Sequence, residues 1–544
     1  MGVTPVGPTG GAALSSPAER RAEWRFHGAV TLALATLAVA VRSVSWQRNA
    51  ALMNDGPTFL ALAQKFSEGH WSEALGHAFH PLYPLAIAAA RPGFDTWESA
   101  AVAVSIVSGG IAVGFLYDFL RHAFPRWAAL VGAALLAVHP YAVPFSADVE
   151  SEGLYMALYL GAVAFAWRTI ASPRLATAAA AGLFSGLAYL TRPEGLGVAL
   201  VALGVLAAQG VRGTRPIRAI AVAGCGMALA VGLVAAPYMA SLDHEAGGVR
   251  LTRKKSVRAI ATLAARQVIG SDPPAAAAAG PEPRAGAPSR GDPGPPRAGF
   301  SLRPVARGLV AVADAGRHAF RPDHWILAAL GVASLGGTPG LRAVFLAGLV
   351  GLQGFVLLGL QLSSGYVSRR HALPPLLPLL GYVALGVPVF GGLLLVLPRR
   401  LLGRAPPSRR VVLAVGLVLV AGASTTMAVR PQRVGRAATR AAAEWLAAQG
   451  GAERVAATKQ RDAYYARARY ARLPEPRNGR GVDWVEALRR RGVRFAIVDE
   501  RMAKRYPELA PAPAGSAPDA RLRIVHRAEA RGRTAVVVEI LGVE

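Results

Sequence analysis

Long apolar runs alternate with short polar segments over most of this 544-residue chain. Most of the runs approach the roughly 20 residues that cross a bilayer as a helix. The pattern predicts a mostly α-helical, polytopic membrane domain over residues 27–428, with about eleven spans. The predicted spans are 28–41, 98–120, 127–145, 153–168, 175–191, 195–209, 217–237, 324–340, 343–362, 371–398 and 411–428.

The stretch 429–544 has a different pattern. The segments 436–449 and 482–491 have the spacing of amphipathic helices, and VRFAIVDE at 493–500 is typical of a buried strand. RLRIVHRAEA and RTAVVVEIL, which are joined around Gly532, predict a hairpin. Helices that alternate with strands indicate a small soluble α/β domain.

Arginine-rich loops indicate which side of the membrane each loop faces, because short basic loops stay in the cytoplasm. The assignment depends on the parity, that is, on whether the number of crossings before a given loop is odd or even. The segment 81–94 decides it. It is apolar but only about 14 residues long, so we expect it to lie along the membrane without crossing it. The tail 1–26 then faces the cytoplasm, and 44–97 is the first outer loop. We expect the first span to stay uncleaved because the segment after it resembles part of a site; a cleaved signal peptide with its core at 28–41 is the alternative. The cytoplasmic basic loops are 121–126, 168–174, 212–218, Arg342 and 399–410.

The same parity places a long loop, 238–323, and the domain 429–544 on the outer face. Within that loop, the segment 272–299 is rich in Pro, Ala and Gly and has no hydrophobic periodicity. Such a composition buries too little apolar surface to fold. We therefore expect a disordered insertion at 272–299.

Composition narrows the functional class. The net charge is +28, yet 53% of the residues are hydrophobic and only 17% are charged. The arginines lie mostly between apolar runs, which fits anionic lipid, and the sequence has no nucleic-acid-binding motif. The only cysteine, Cys225, lies inside an apolar run, so no intrachain disulfide can form.

Acidic residues on the predicted outer face are the first candidates for chemistry. They are Asp55 after the first span, Asp148, Glu150 and Glu152 in DVESE, and Glu194 in TRPEG. Charges near a membrane are costly, so such residues line a cavity or pair with one another. A carboxylate in a cavity can accept the proton of a hydroxyl nucleophile. The alternatives are solvated loop residues and, for Asp55, a cap on the helix that begins near Pro57.

Basic residues on the same face are candidates for phosphate binding. Arg192, Arg369 and Arg370 lie beside span ends, and guanidinium groups bind phosphate through paired hydrogen bonds. Contact with lipid headgroups is an equal alternative for Arg369 and Arg370.

The evidence for a metal is weak. His77 and His80 have H-x-x-H spacing, but structural or substrate-binding roles suit them better than metal ligation. Asp148 and Glu150 offer oxygen ligands that suit a divalent cation, and nothing in the sequence requires one. We therefore assign no metal ligands and expect no obligatory cofactor, and a divalent cation stays open as an alternative.

Several stretches resemble a known group of proteins. They are Asp55-Gly56, HPLYP at 80–84, FLYDFLRHAFPRWAALVGAALLAVHPYAVPFSADVESEGLYMAL at 115–158, YLTRPEGL at 189–196 and SGYVSRRHALP at 364–374. In these stretches the chain resembles the GT-C superfamily of integral membrane glycosyltransferases. It is most similar to bacterial relatives of protein O-mannosyltransferases, the aminoarabinose transferase of lipid A and lipopolysaccharide-core transferases.

The resemblance implies a GT-C fold, a polyprenyl-phosphate sugar donor and a hydroxyl acceptor in a cell-envelope glycan, lipid or protein. It implies transfer on the periplasmic face of a bacterial inner membrane, with inversion if the acceptor displaces the phosphate in one step. It also makes Asp55 the catalytic base. The substrate-binding residues expected from the sequence are His80, Tyr83, Asp148, Glu150, Glu152, Arg192, Glu194, Tyr366, Arg369 and Arg370.

A non-enzymatic class stays open, namely a lipid-linked-sugar transporter or a cell-envelope assembly protein. A transporter places polar groups at mid-span. Here mid-span polar residues are few, Gln353 and Gln361 among them, and the acidic residues gather at one face. This distribution favours chemistry at the membrane surface over transport.

The parity argument predicts the outcome of reporter fusions. A topology reporter fused after Gly93 and another fused after Val429 should both report the outer side of the membrane. A cytoplasmic signal after Gly93 would make 81–94 a true span and reverse the side of every later loop.

Overall fold

The computed structural model describes residues 16–242, 250–253, 302–335, 340–401, 407–473, 483–500 and 519–543, with the single positions 262, 263, 265 and 405. The insertion expected at 272–299 lies outside these residues. The described residues are mostly helical and include one small sheet near the C-terminal end. This confirms the fold class expected from the sequence.

The apolar runs form helices because a helix satisfies all of its backbone hydrogen bonds internally. Within the described residues the α-helices are α1 Pro17–Gln47, α2 Gly56–Ser67, α3 Trp71–Leu75, α4 Leu82–Ala90, α5 Trp97–Ala123, α6 Arg126–Ala137, α7 Ala142–Phe145, α8 Glu152–Ala171, α9 Leu175–Thr191, α10 Gly197–Val211, α11 Ile217–Ala240, α12 Arg303–Phe320, α13 Pro322–Ala333, α14 Leu341–Ser364, α15 Arg369–Leu376, α16 Leu380–Leu401, α17 Arg409–Ala428, α18 Ala437–Ala448, α19 Gln460–Tyr465 and α20 Trp484–Arg489.

Eight helices of the described residues are long and apolar enough to cross a membrane. They are Pro17–Gln47, Trp97–Ala123, Glu152–Ala171, Pro193–Val211, Ile217–Ala240, Leu341–Ser364, Arg369–Val396 and Arg409–Ala428. Pro193–Val211 is α10 with the 3₁₀ turn that precedes it, and Arg369–Val396 joins α15 to α16 through the 3₁₀ turn Leu377–Leu379. The other three predicted spans coincide with α6, α9 and α13, which have 12, 17 and 12 residues. A multi-pass membrane domain is therefore supported, while the count of eleven spans is not confirmed.

The predicted span at 127–145 is broken in the structure. α6 ends at Ala137, and α7 begins only at Ala142. Pro140 lies between them, and proline disfavours helical backbone in the residue before it. The chain therefore turns at this point, so that the acidic segment 148–152 starts from a short separate helix.

One end of the bundle gathers loops that the parity argument places together. Asp118 Oδ1 accepts hydrogen bonds from Arg121 Nη2 at 2.8 Å and from Arg168 Nη2 at 2.7 Å. Arg215 Nη2 donates to the Ala171 carbonyl at 2.6 Å. These contacts join three of the predicted cytoplasmic loops. That this end faces the cytoplasm stays a prediction.

The segment that decided the parity forms α4, which has nine residues. A helix of that length is about 14 Å long, whereas the hydrocarbon core is about 30 Å thick. Tyr83 in α4 packs edge-to-face on Phe59 of α2, with ring centroids 5.0 Å apart. The first outer loop is thus a packed helical layer, and α4 is too short to cross the membrane.

The C-terminal part of the chain contains a five-stranded sheet with the strand order β2-β1-β3-β5-β4. Its strands are β1 Arg454–Ala457, β2 Arg469–Arg472, β3 Phe495–Asp499, β4 Leu522–Ala530 and β5 Arg533–Ile540. β1 pairs in parallel with β2 and β3, while β5 runs antiparallel to β3 and β4. Arg531 and Gly532 both have positive φ, at 52° and 70°. This matches the two-residue hairpin turn that the sequence predicts there.

The C-terminal domain packs against the first outer loop. Leu52 and Ile87 share one buried hydrophobic cluster with Leu446 of α18, Tyr465 of α19 and Val537 of β5. Because one buried cluster contains residues of both, the C-terminal domain and the first outer loop form a continuous packed layer. The boundaries of the membrane domain, after residue 26 and after residue 428, stay predictions.

Candidate functional site

Charged residues from four segments meet at the end of the bundle that carries the first outer loop. Asp55 precedes α2, Glu150 and Glu152 flank the start of α8, Arg192 follows α9, and Arg370 lies in the first turn of α15. All five are among the residues singled out from the sequence. The fold brings them together although 315 positions separate Asp55 from Arg370.

Two glycines allow this convergence. Gly365 ends α14 in the left-handed conformation, with φ at 67°, so the chain can reverse and begin α15 four residues later. Gly56 lies where a Cβ atom would be only 3.3 Å from Val149 Cβ. The start of α2 can therefore lie directly against the acidic segment 148–152.

Arg370 is the centre of the site. Its Nη1 atom lies 3.0 Å from Asp55 Oδ2, 3.5 Å from Glu150 Oε2 and 3.6 Å from Glu152 Oε1. Only the first of these is short enough to be a strong hydrogen bond. Arg370 therefore lies within reach of three carboxyl groups, which would repel one another if all of them were charged.

Arg192 is a second cation at the same cluster. Its Nη2 atom donates to Glu152 Oε1 at 2.6 Å, and its Nε donates to Ser151 Oγ at 3.3 Å. The guanidinium also lies over the ring of Tyr155, 5.8 Å from the centroid. Arg192 thus fixes Glu152, and this leaves Arg370 as the cation that faces Asp55.

The two glutamates retain hydrogen-bonding capacity. Glu150 Oε1 and Glu152 Oε2 are buried and have no hydrogen-bond partner among the described residues. Burial, and then the adjacent Glu152 carboxylate, raises the pKa of Glu150 well above its ordinary value. Glu150 therefore holds a proton to a higher pH than a solvated glutamate does. Each of these two oxygens can accept a further hydrogen bond.

Asp55 does not act as a helix cap. It occupies the N-cap position of α2, but its side chain makes no capping hydrogen bond. Its carboxylate points instead to Arg370 and into a cavity of about 640 Å³. The capping alternative raised by the sequence is therefore wrong.

The lining of the cavity includes the acidic residues Asp55 and Glu150 together with Tyr366, Arg369 and Arg370. Arg369 Nη1 donates to Tyr141 Oη at 3.4 Å, and its guanidinium lies over the ring of that tyrosine. Two carboxyl groups and two guanidinium groups therefore line the same open space. This arrangement can bind a phosphate next to a general base.

Three polar residues of the cavity were not predicted. Asn54, Ser368 and Asp314 line it beside the residues already named. Asn54 precedes Asp55 and Ser368 precedes Arg369, but neither belongs to a sequence pattern that indicates a role in the site. Asp314 belongs to α12, whose sequence is that of an ordinary amphipathic helix.

His80 and Tyr83 do not reach the cavity lining. His80 is buried against the rings of Tyr189 and Tyr238, with centroids 5.2 and 5.1 Å away. Tyr83 is fully buried, and its hydroxyl lies 2.8 Å from Ser105 Oγ. Both side chains pack the first outer loop onto the bundle, and the geometry gives no support to the expected contact with substrate.

Asp148 is fully buried as well. It forms an ion pair with Arg433 and accepts hydrogen bonds from the backbone N–H groups of Met53 at 3.3 Å and Val149 at 2.7 Å. Its bonds therefore hold together the two segments that carry Asp55 and Glu150. Arg433 had not been singled out, because it lies alone in a linker without periodicity.

Glu194 lies in the 3₁₀ turn Pro193–Leu196 and is not part of the cavity lining. Its Oε2 atom is buried without a hydrogen-bond partner among the described residues. Within the same residues, no group of three or more His, Cys, Asp or Glu side chains has the arrangement of a metal site.

The chain was compared with known proteins. Residues 77–239 match the dolichyl-phosphate-mannose-protein mannosyltransferase family. This segment contains Glu150, Glu152 and Arg192 but neither Asp55 nor Arg370. A search of curated proteins found no match.

Solved structures match over most of the chain. The apo oligosaccharyltransferase of Archaeoglobus fulgidus has 13% identity and a TM-score of 0.52, covering 88% of this chain and 70% of its own. ArnT from Cupriavidus metallidurans, bound to undecaprenyl phosphate, has 14% identity and a TM-score of 0.52, covering 93% of this chain and 97% of its own. The archaeal oligosaccharyltransferase AglB, with an inhibitory peptide and a dolichol-phosphate, has 12% identity and a TM-score of 0.52, covering 88% and 70%.

At such identities the likeness shows the fold. Together with the family match, it confirms the resemblance to the GT-C superfamily of membrane glycosyltransferases that the sequence indicated.

The role of Asp148 can be tested by replacing it with asparagine. Asp148→Asn breaks an ion pair that is buried on the aspartate side, so it should destabilise the protein by about 2–4 kcal/mol. The measurement is thermal unfolding in detergent. Asp323→Asn breaks the Arg321–Asp323 pair, whose aspartate is 39% exposed, and should have little effect. Wild-type stability of Asp148→Asn together with lost activity would instead indicate a direct contact with substrate.

Proposed function

We propose that this protein transfers a sugar from a polyprenyl-phosphate donor to a hydroxyl acceptor in a cell-envelope glycan, lipid or protein. We place the reaction on the periplasmic face of a bacterial inner membrane. One observation carries the proposal: Asp55 is not a cap but faces a cavity that two arginines also line. A base and a phosphate site next to each other are what sugar transfer from a phosphate requires.

Arg370 and Arg369 are the proposed phosphate ligands. Arg370 makes one strong contact, to Asp55, and two longer ones of 3.5 and 3.6 Å. A donor phosphate that approaches this guanidinium can replace the longer contacts with paired, charge-assisted hydrogen bonds. Arg369 is held by Tyr141 and adds a second positive charge at the same wall.

An apolar cleft beside the cavity suits the donor's isoprenoid chain. It has a volume of about 770 Å³, and its walls include Val310, Trp325, Ile326 and Leu357. Asp314 belongs to the lining of both the cleft and the charged cavity, so the two adjoin. A phosphate on Arg370 and a lipid tail in the cleft are therefore compatible with one bound donor.

The step itself needs one base and one leaving group. The acceptor oxygen forms a bond to the anomeric carbon, and the bond from that carbon to the phosphate oxygen breaks. The acceptor's proton passes to the Asp55 carboxylate, and the polyprenyl phosphate leaves with its charge held by Arg370 and Arg369. Inversion at the anomeric carbon follows from this single displacement.

Glu150 and Glu152 are the proposed ligands of sugar or acceptor hydroxyls. Their unpartnered oxygens are buried beside Asp55, where hydroxyl groups would satisfy them. Because the arginines and the carboxyl groups lie next to one another, a donor held by the arginines and an acceptor held by the carboxyl groups can meet at Asp55.

The base is tested by Asp55→Asn in purified protein supplied with polyprenyl-phosphate sugars. Asparagine keeps the size of the side chain but cannot take the proton, so transfer should fall about 10²–10⁴-fold with donor binding little changed. Asp95→Asn in the same loop is the matched control, because Asp95 is exposed. It should keep wild-type turnover.

Two outcomes would contradict the proposal. Wild-type turnover in Asp55→Asn would remove Asp55 from the reaction. If wild-type protein consumed no donor but moved intact lipid-linked sugar across a vesicle membrane, the transporter alternative would replace the enzyme.

A further inference from the structure

The segment 50–53, which one residue separates from Asp55, is held by side chains and a carbonyl from the C-terminal part of the chain. It belongs to no helix or strand. The Ala50 N–H donates to the Gln432 carbonyl at 3.2 Å, and the Leu52 N–H donates to Tyr465 Oη at 2.9 Å. Arg461 Nη1 donates to the Leu52 carbonyl at 2.8 Å.

Arg433 completes this set of contacts. Its Nε donates to the Ala51 carbonyl at 2.6 Å, while its Nη2 pairs with Asp148. Its backbone lies in the left-handed region, with φ at 51°, which is uncommon for a residue with a side chain. Such a conformation persists where surrounding contacts determine it, and these two contacts do so.

The C-terminal domain does not contact the cavity directly. The described residues that line the cavity come from the segments 53–55, 145–150, 311–315 and 366–370. Arg433, Arg461 and Tyr465 lie behind the segment 50–53 instead. Their contacts therefore act on the position of Asp55 and not on a bound substrate.

We propose that the C-terminal domain positions the catalytic base, with Arg433, Arg461 and Tyr465 as positioning residues. This inference rests on the proposed role of Asp55. Backbone groups in a loop without secondary structure would otherwise bond to water and leave the loop free to move. A displacement of about 1 Å at a reacting group can reduce the rate about 10²-fold.

The test compares Tyr465→Phe with Tyr470→Phe. Tyr465→Phe removes the acceptor of the Leu52 N–H but keeps the ring, which packs against Arg440. We expect kcat to fall about 5- to 30-fold with KM for both substrates unchanged, and amide exchange at residues 53–58 to speed up. Tyr470 lies on β2 and does not touch the segment, so Tyr470→Phe should change neither quantity.

Arg433→Lys is the second variant. Lysine keeps a charge for Asp148 but cannot also bridge to the Ala51 carbonyl with a rigid fork. It should show the same fall in kcat and the same faster exchange, with the unfolding temperature close to that of the wild type.

The inference is overturned if exchange at 53–58 is unchanged in both variants, or if KM for the acceptor rises while kcat stays constant. The second result would make the domain an acceptor-binding module. If wild-type protein transfers no sugar, the proposed function fails, and the exchange measurement still decides whether the domain holds this segment.

Discussion

The arrangement at the membrane surface depends on Arg370. One guanidinium lies within 3.6 Å of three carboxylates that come from two different segments of the chain. Without a cation there, the carboxylates would repel one another in a partly buried site. Because Arg370 is shared among them, it can exchange part of its contacts for a phosphate. The same interaction therefore holds the site together and prepares it for an anionic ligand.

Much of the fold could be predicted because it follows from local pattern. Apolar runs become helices, and the Arg531–Gly532 turn joins the expected hairpin. The prediction of one continuous helix at 127–145 was wrong because Pro140 interrupts it. Judged by hydrophobic composition alone, the run has no break. The sequence predicted only that Asp55, Glu150 and Arg370 lie on the same face of the membrane. It could not predict that they are in contact, because a sequence gives no distances.

Other roles depend on long-range packing that the sequence does not show. Asp148 lies in the same acidic motif as Glu150, yet it is buried and pairs with Arg433, 285 positions away. His80 belongs to the HPLYP motif, from which substrate binding was expected, but its ring packs among Tyr189 and Tyr238. Within one motif, some residues thus face the cavity, and others bind together the segments that form it. The C-terminal domain belongs to the second group through its contacts with the segment 50–53.

The most direct test is the affinity of the purified protein for a polyprenyl phosphate and for the matching polyprenol. Arg370→Lys keeps the charge that the carboxylates need but loses the planar fork, so phosphate affinity should fall about 10- to 100-fold while polyprenol affinity is unchanged. Arg307→Gln, an exposed residue of α12, is the control and should bind as the wild type does. An unchanged affinity of Arg370→Lys for the phosphate would contradict the account.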